Sequence, residues 1–265
     1  MASASVFSVE TIQKQFNDDT LLEKYIDKYR ELRLQALRSD PDAFSATFES
    51  ESRQPSEFWA GRLLVPKARH FVVIQWNNTL DIDPTSNDPH AILEAEWVGC
   101  LVLLGPAVVA SGDTSPWRSL VGGRLVEDNA AATSDTTASA YHLVGFYIAP
   151  EVRRRGLGTY LVHAAVEKIA YDGQTMHSAR AICTVGASQR NLVVRKLLKR
   201  MGFLEVAEEV GQSEDGRSFI EVVLRQDFRR CPGSCETSEC PDLSPARGGA
   251  SVSQHGWESE EGRYR

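Results

Sequence analysis

No run in this 265-residue chain is apolar for long enough to cross a bilayer. A spanning helix needs about 18 or more apolar residues in a row, and the best candidate, WVGCLVLLGPAVVA at 97–110, stops short. The opening residues, MASASVFSVETIQKQ, lack a cationic stretch followed by an apolar one, so no secretory signal is expected. Cysteine is scarce. Cys100 and Cys183 sit in apolar runs and read as buried thiols, while Cys231, Cys235 and Cys240 gather near the C-terminal end. Their C-x3-C-x4-C spacing, with only His255 nearby, fits no zinc pattern, so no metal is expected. A surplus of positive charge is also missing. Lys and Arg number 29 against 36 Asp and Glu, a net charge of −7, which argues against nucleic acid and mildly favours cationic substrates. No internal repeat is visible. The expectation is a cytoplasmic protein, monomer or homodimer, that engages neither membrane nor nucleic acid.

What is present is a 42% apolar chain, enough to bury a sizeable core. Residues 20–38 repeat apolar side chains at a helical period through Leu22, Tyr25, Ile26, Tyr29, Leu32, Ala36 and Leu37, and predict an amphipathic helix. Asp18, Asp19 and Thr20 offer caps, and Asp40-Pro41 ends it. A short second helix is predicted from Pro55 through SEFWAGRLL. Strands are predicted at 70–76, 96–105, 141–149 and 179–187, with another at 5–13 as an option. The stretch between 76 and 96 reads as a long hairpin loop, and 106–138 as an irregular segment. Helices follow at 157–172 and 191–201, the second closed by Gly202. A final hairpin pairs FLEVAEEV with SFIEVVLRQDF around 211–217. From about 230 the chain is rich in Gly, Ser, Pro and Glu and is expected to be a disordered tail. The fold class is therefore α/β in the α+β sense, mostly antiparallel, with one strand–helix–strand crossover at 141–187.

The stretch RRRGLG at 153–158 lies where that crossover turns from strand to helix. A helix starting near Leu157 leaves its first amide groups without internal acceptors and carries partial positive charge there. Gly156 and Gly158 would let a ligand approach the backbone, and Arg153, Arg154 and Arg155 add cationic charge. Together they suit a phosphate. A dinucleotide fingerprint would need a third glycine and a later acidic residue, and a P-loop a lysine; all are absent. Read alone, the stretch is equally well a surface turn.

The wider context carries more. GFYIAPEVRRRGLGTYLVHAAVEKIA resembles the acetyl-CoA-binding segment of the GCN5-related N-acetyltransferase (GNAT) superfamily, in which a strand and a proline precede [QR]-x-x-G-x-[GA] and a helix. Arg153, Gly156 and Gly158 match in register. NLVVRKLLKRMGF at 191–203 resembles the family's second cofactor segment through Asn191, Gly202 and Phe203, and YRELRLQALRSDPDAFSATFE at 29–49 its first helix and loop. The resemblance implies an acyl-CoA N-acyltransferase fold over 9–228, a mixed, mostly antiparallel sheet flanked by helices on both faces, with 1–8 and 229–265 as flexible ends. It implies acetyl-CoA as co-substrate, with the amide groups of Arg154, Arg155, Gly156, Leu157, Gly158 and Thr159 around the pyrophosphate. The backbone of Phe146, Tyr147 and Ile148 would pair with the pantetheine arm where two strands part, and Asn191 would bond it from the next helix.

The reaction so implied is direct attack of an amine on the thioester. A backbone amide near Ile148 would polarise the carbonyl, and a base would take the amine's proton. Glu96, Tyr141 and His142 are the candidates by topology, with Glu96 and His142 preferred. Many relatives carry a tyrosine seven residues after the asparagine as acid for the thiolate; this chain has Leu198, and Tyr160 is poorly placed to replace it. Carboxylates in FESESRQPSEFW (48–59) and QSEDG (212–216) could attract a cationic amine. The leading expectation is an N-acetyltransferase acting on a small amine. A protein N-terminal or lysine acetyltransferase, and a CoA-binding protein without catalysis, stay open as alternatives.

Overall fold

The computed structural model describes residues 6–16, 18–76, 88–110, 137–175, 180–212, 216 and 218–229. The loop 77–87, most of the irregular segment 106–138, most of the turn 211–217 and the tail with Cys231, Cys235, Cys240 and His255 lie outside these residues. No helix among them is long and apolar enough to cross a membrane.

The elements in chain order are β1 (Val6–Thr11), α1 (Asp19–Ser39), a 3-10 turn (Pro41–Ala43), α2 (Phe48–Ser52), α3 (Ser56–Leu63), β2 (Ala68–Trp76), α4 (Pro89–Glu94) and β3 (Glu96–Ala110). There follow β4 (Thr137–Ile148), a 3-10 turn (Pro150–Val152), α5 (Leu157–Thr175), β5 (Arg180–Ser188), α6 (Leu192–Arg200), β6 (Leu204–Gln212) and β7 (Ser218–Arg229). The seven strands form one sheet in the order β1-β2-β3-β4-β5-β7-β6. Among adjacent strands only β4 and β5 are parallel, and α5 makes the crossover between them.

Helices cover both faces. On one, Tyr29 of α1 sets its ring edge-on to His70 of β2, centroids 5.2 Å apart. On the other, Tyr141 of β4 donates to Asp172 of α5 at 3.3 Å. The apolar stripe of α1 is buried at Tyr25, Ile26, Tyr29, Leu32, Ala36 and Leu37. Asp18 caps it by accepting from the Thr20 amide at 2.9 Å. In α5, Leu157, Leu161, Val162, Ala165 and Ile169 are buried; their spacing sets one face against the sheet. Gly202, at φ +89°, closes α6. Its amide donates to Lys199 O and that of Phe203 to Leu198 O, both at 3.1 Å, the paired bonds of a Schellman end.

Two elements depart from expectation, and an optional one is present. The stretch between β2 and β3 contains α4, six residues capped by Asp88, whose side chain accepts from the His90 amide at 3.0 Å. Strand β3 continues through Pro106 to Ala110, with a register shift between Leu104 and Ala107. The optional N-terminal strand exists, paired antiparallel to β2.

Candidate active site

A bulge in β4 creates the site. Cys100 pairs with Tyr147 and Val102 with Val144, so Leu101 alone faces both Gly145 and Phe146. Gly145 takes φ +67°, where a side chain is disfavoured. The Cys100 thiol donates to the Gly145 carbonyl at 3.3 Å, and burial pushes that thiol up to about 12, so it stays a donor. Bulges bend the strand that carries them. Here β4 leaves its parallel partner: pairing with β5 ends at Leu143 and Val185. Beyond that point Phe146–Ile148 and Gly186–Ser188 line the two arms of a cleft.

The open arm of β4 leads to the Arg-Gly turn. Arg154 adopts φ +66° and Gly156 φ +80°; alternation into left-handed backbone turns successive amides inward, as in anion nests. The amides of Leu157 and Gly158 begin α5 and have no intrahelical acceptor. The Thr159 amide donates to Gly156 O at 2.9 Å. Gly156 is needed for its backbone angle, since a Cβ there would make only ordinary contacts with Tyr160, 3.6 Å away. The room at Gly158 serves packing rather than ligand approach. A Cβ there would meet Phe146 Cζ at 2.9 Å and Leu197 Cδ1 at 3.1 Å, so this glycine locks the cleft edge to α5 and α6.

The three arginines divide their work. Arg153 donates through Nε to Ile148 O at 2.8 Å and pairs with Asp40 at the end of α1, which fixes the strand end to the turn. Arg155 lies over the Phe7 ring, 5.5 Å from its centroid. Arg154 is exposed at the left-handed position. Asn191 caps α6, its Oδ1 accepting from the Val194 amide at 3.2 Å, and lines the cleft.

On the α1 side of the sheet the cleft opens into a cavity of about 1330 Å³. Residues 68 and 70 of β2, 100, 102 and 104 of β3, 142 and 144 of β4, and 186 and 188 of β5 all line it, as the two-residue side-chain period requires. His142 sits at the vertex of the cleft. Thr184 donates its hydroxyl to Tyr141 O at 3.2 Å, so its lone pairs accept the His142 Nδ1–H at 2.8 Å. That assigns a neutral imidazole with its lone pair on Nε2. Burial lowers His142 to about 4, and the ring stays neutral at working pH.

Glu96 does not join it. It is exposed at the start of β3, paired with Gln75, whereas His142 pairs with Leu104. Eight residues of strand separate the two positions, roughly 25 Å at the usual rise. The two candidate bases therefore stand apart, His142 in the cavity wall and Glu96 outside it. Leu198 is buried in the cavity wall and carries no proton.

A different carboxylate lies against the β5 arm of the cleft. Glu221 of β7 packs on Gly186 of β5: a Cβ on that glycine would fall 1.9 Å from Glu221 Oε1. Glu209 of β6 faces Glu221 across the ladder, and both line the cavity. Burial, then the Glu209 charge, hold Glu221 above the usual carboxylate range. The signal for this pair was weak in sequence: one Glu in the apolar run FIEVVL, whose face is known only once the β5–β7 register is fixed. The loop carboxylate Glu51 is no amine site. Arg33 takes both its oxygens, at 2.9 and 3.0 Å, and Arg62 adds a bond at 2.9 Å. These arginines hold the Glu51 carboxyl below its ordinary range despite its burial.

A sheet parted beside a helix-opening anion nest, with a walled cavity on its far face, defines a group transferase that takes an acyl-CoA-like donor and a separate acceptor. The sequence gives the family. The model of the acetyltransferase (GNAT) family matches residues 34–203, and the chain belongs to that family. Solved structures similar to the chain include Arabidopsis thaliana NAA60 in complex with acetyl-CoA, at 15% identity and TM-score 0.49, covering 84% of this chain and 98% of that one. The ribosomal-protein-S5-alanine acetyltransferase from Vibrio fischeri is similar at 13% identity and TM-score 0.48, covering 83% and 92%. Aminoglycoside 6'-acetyltransferase type Ii is similar at 11% and 0.45, covering 84% and 99%. No curated protein gives a significant match.

Proposed function

We propose that this GNAT protein transfers the acetyl group of acetyl-CoA directly to the primary amine of a small molecule. The observation that carries the proposal is the parting of β4 and β5 after Leu143 and Val185. It leaves the β5-facing edge of Phe146–Ile148 without a strand partner, open to an amide-bearing arm in line with the nest from Arg154 to Gly158. An amide-rich pantetheine ending in a pyrophosphate fits both. Acetyl-CoA supplies a thioester whose acyl–sulfur bond breaks as the amine's C–N bond forms; the ammonium loses two protons, one to a base and one, by way of water, to the departing sulfur.

The chain does the rest by placement. The bulge presents backbone amide near the cleft vertex, where a developing oxyanion needs a donor. The acceptor arrives as an ammonium, and the Glu209–Glu221 pair supplies the charge that draws it in. Glu221, the more basic for its burial, takes the proton. Neutral His142 presents Nε2 beside it as a second acceptor and adds no competing positive charge. Leu198 leaves the thiolate to collect its proton from water.

The test is thiol release from acetyl-CoA by the purified protein, with and without a panel of primary amines. Amine-dependent release with acetylated product supports the proposal. Tight acetyl-CoA binding with release no faster in any amine refutes it, and release stimulated only by peptides moves the acceptor to a polypeptide.

A further inference from the structure

The end of the cavity away from the carboxylate pair carries surplus positive charge. Arg33 and Arg62, both in the cavity wall, share one carboxylate, Glu51. Two guanidinium groups against one carboxylate leave a net charge of one. The Arg33 side chain is 12% exposed and Glu51 2%, while Arg62 is 38% exposed, so the Arg33 side of the cluster is shielded from water and the Arg62 side is partly solvated. Arg33 is further positioned over Phe44, 4.5 Å from the ring centroid, and Arg62 over Phe58 at 4.7 Å. Guanidinium groups fixed in this way suit binding of a second carboxylate through the N–H groups that Glu51 leaves over.

A second observation points to the same place. His70 is 3% exposed and lines the same cavity. Its Nδ1 is buried and makes no hydrogen bond among the described residues, which is costly unless a ligand supplies one. The surroundings are cationic beyond the arginines. Lys14 donates to Val65 O, and burial followed by the Arg69 charge lowers it to about 8.

The spacing can be read off the sheet. His70 pairs with Val102, and Val102 with Val144 at the cleft. Two strand spacings separate His70 from the cleft edge, about 10 Å. The cavity is thus anionic at Glu209 and Glu221, on the strands beyond the cleft, and cationic at Arg33 and Arg62 on the near side, with the cleft edge about 10 Å from His70.

Resting on acetyl transfer at this site, we infer that the acceptor is an amino acid in the broad sense: a primary amine joined to a carboxylate that binds at Arg33, Arg62 and His70. A polyamine or simple alkylamine would set its far end against the arginines. Charge complementarity at both ends selects the zwitterion.

The experiment compares 4-aminobutyrate, 6-aminohexanoate and 8-aminooctanoate with their amides and with hexylamine, by turnover and by calorimetric binding to the protein with CoA bound. One of the acids should exceed its amide at least tenfold in kcat/KM and in affinity. R62Q should reduce that preference about tenfold by raising KM for the acid. Equal efficiency for hexylamine, amides and acids overturns the inference and leaves acetyl transfer intact. Selective binding of an acid without turnover keeps the anion site and removes the acetyl-transfer reading. The acid–amide comparison on the unaltered protein stands even if R62Q does not fold.

Discussion

Acidification should unfold this protein in a window set by its two buried histidines. Burial lowers His142 from the ordinary 6.5 to about 4. His70 falls to about 3, through burial first and then the charges of Lys14 and Arg62. Both rings are neutral when folded and gain a proton when unfolded, so the unfolded state binds more protons between the folded and unfolded values. Stability is then full above pH 6.5 and falls as pH drops toward 4. From pH 7 to pH 5, each histidine costs about 2 kcal/mol, and the pair roughly 4 kcal/mol. That is a large part of the roughly 5–15 kcal/mol that holds a domain folded. Glu51 and Asp227 have lowered values, so their stabilisation is lost as pH falls through and then below the ordinary carboxylate range. Glu221, raised by burial and Glu209, offsets part of the loss at the acid end. The assay is urea unfolding at pH 7, 6 and 5 for the wild type and His142→Asn, whose amide can still donate to Thr184. The variant should lose about 2 kcal/mol less than the wild type between pH 7 and 5. Parallel losses, within about 0.5 kcal/mol, would refute the neutral buried imidazole.

Three further outcomes follow from the site. Glu221→Gln should lower kcat about a hundredfold or more, with acetyl-CoA affinity unchanged by calorimetry. Gly158→Ala would set a Cβ 2.9 Å from Phe146 Cζ and 3.1 Å from Leu197 Cδ1 and force both side chains to shift; acetyl-CoA KM should rise about tenfold and stability fall by about 1–3 kcal/mol. Glu51→Gln leaves Arg33 and Arg62 without their shared charge, at a cost of roughly 3–5 kcal/mol, read as a melting temperature lower by about 10 °C.

The donor side was legible because its signals are local. Pro150, the turn at 153–158, the Asn191 cap and the Gly202 stop each act within a few residues, and α5 starts at Leu157 as its apolar spacing predicts. The short α4 was hidden because Asp88 and Pro89 read equally well as turn formers and as a cap with a first-turn proline. The acceptor side was hidden for a longer-range reason. Which face a strand residue occupies depends on every bulge before it, and the ladders shift at Val73/Ile74, Cys100/Val102 and Glu205/Ala207. Each shift flips the alternation downstream. Glu96, promising by topology, falls outside the cavity, while Glu221, inconspicuous in an apolar run, falls inside. The Arg33–Glu51–Arg62 cluster joins three helices across 18 and 11 residues of chain, with no local pattern to announce it.

The bulge at Gly145 and Phe146 explains why donor and acceptor can be specified separately. A strand paired on both sides has no free backbone, so a chain lying along it must displace a neighbour. By bending β4 away from β5, the bulge frees one edge while leaving β3 paired on the other. The donor then needs only backbone from β4 and the start of α5. On the function proposed above, side chains on the α1 face take no part in donor binding, and His142, Glu221, Arg33 and Arg62 answer to the acceptor alone. Substitutions at those positions should therefore change which amine reacts and how fast. Substitutions at Gly145, Gly156 or Gly158, which set the backbone itself, should weaken every reaction that begins with acetyl-CoA.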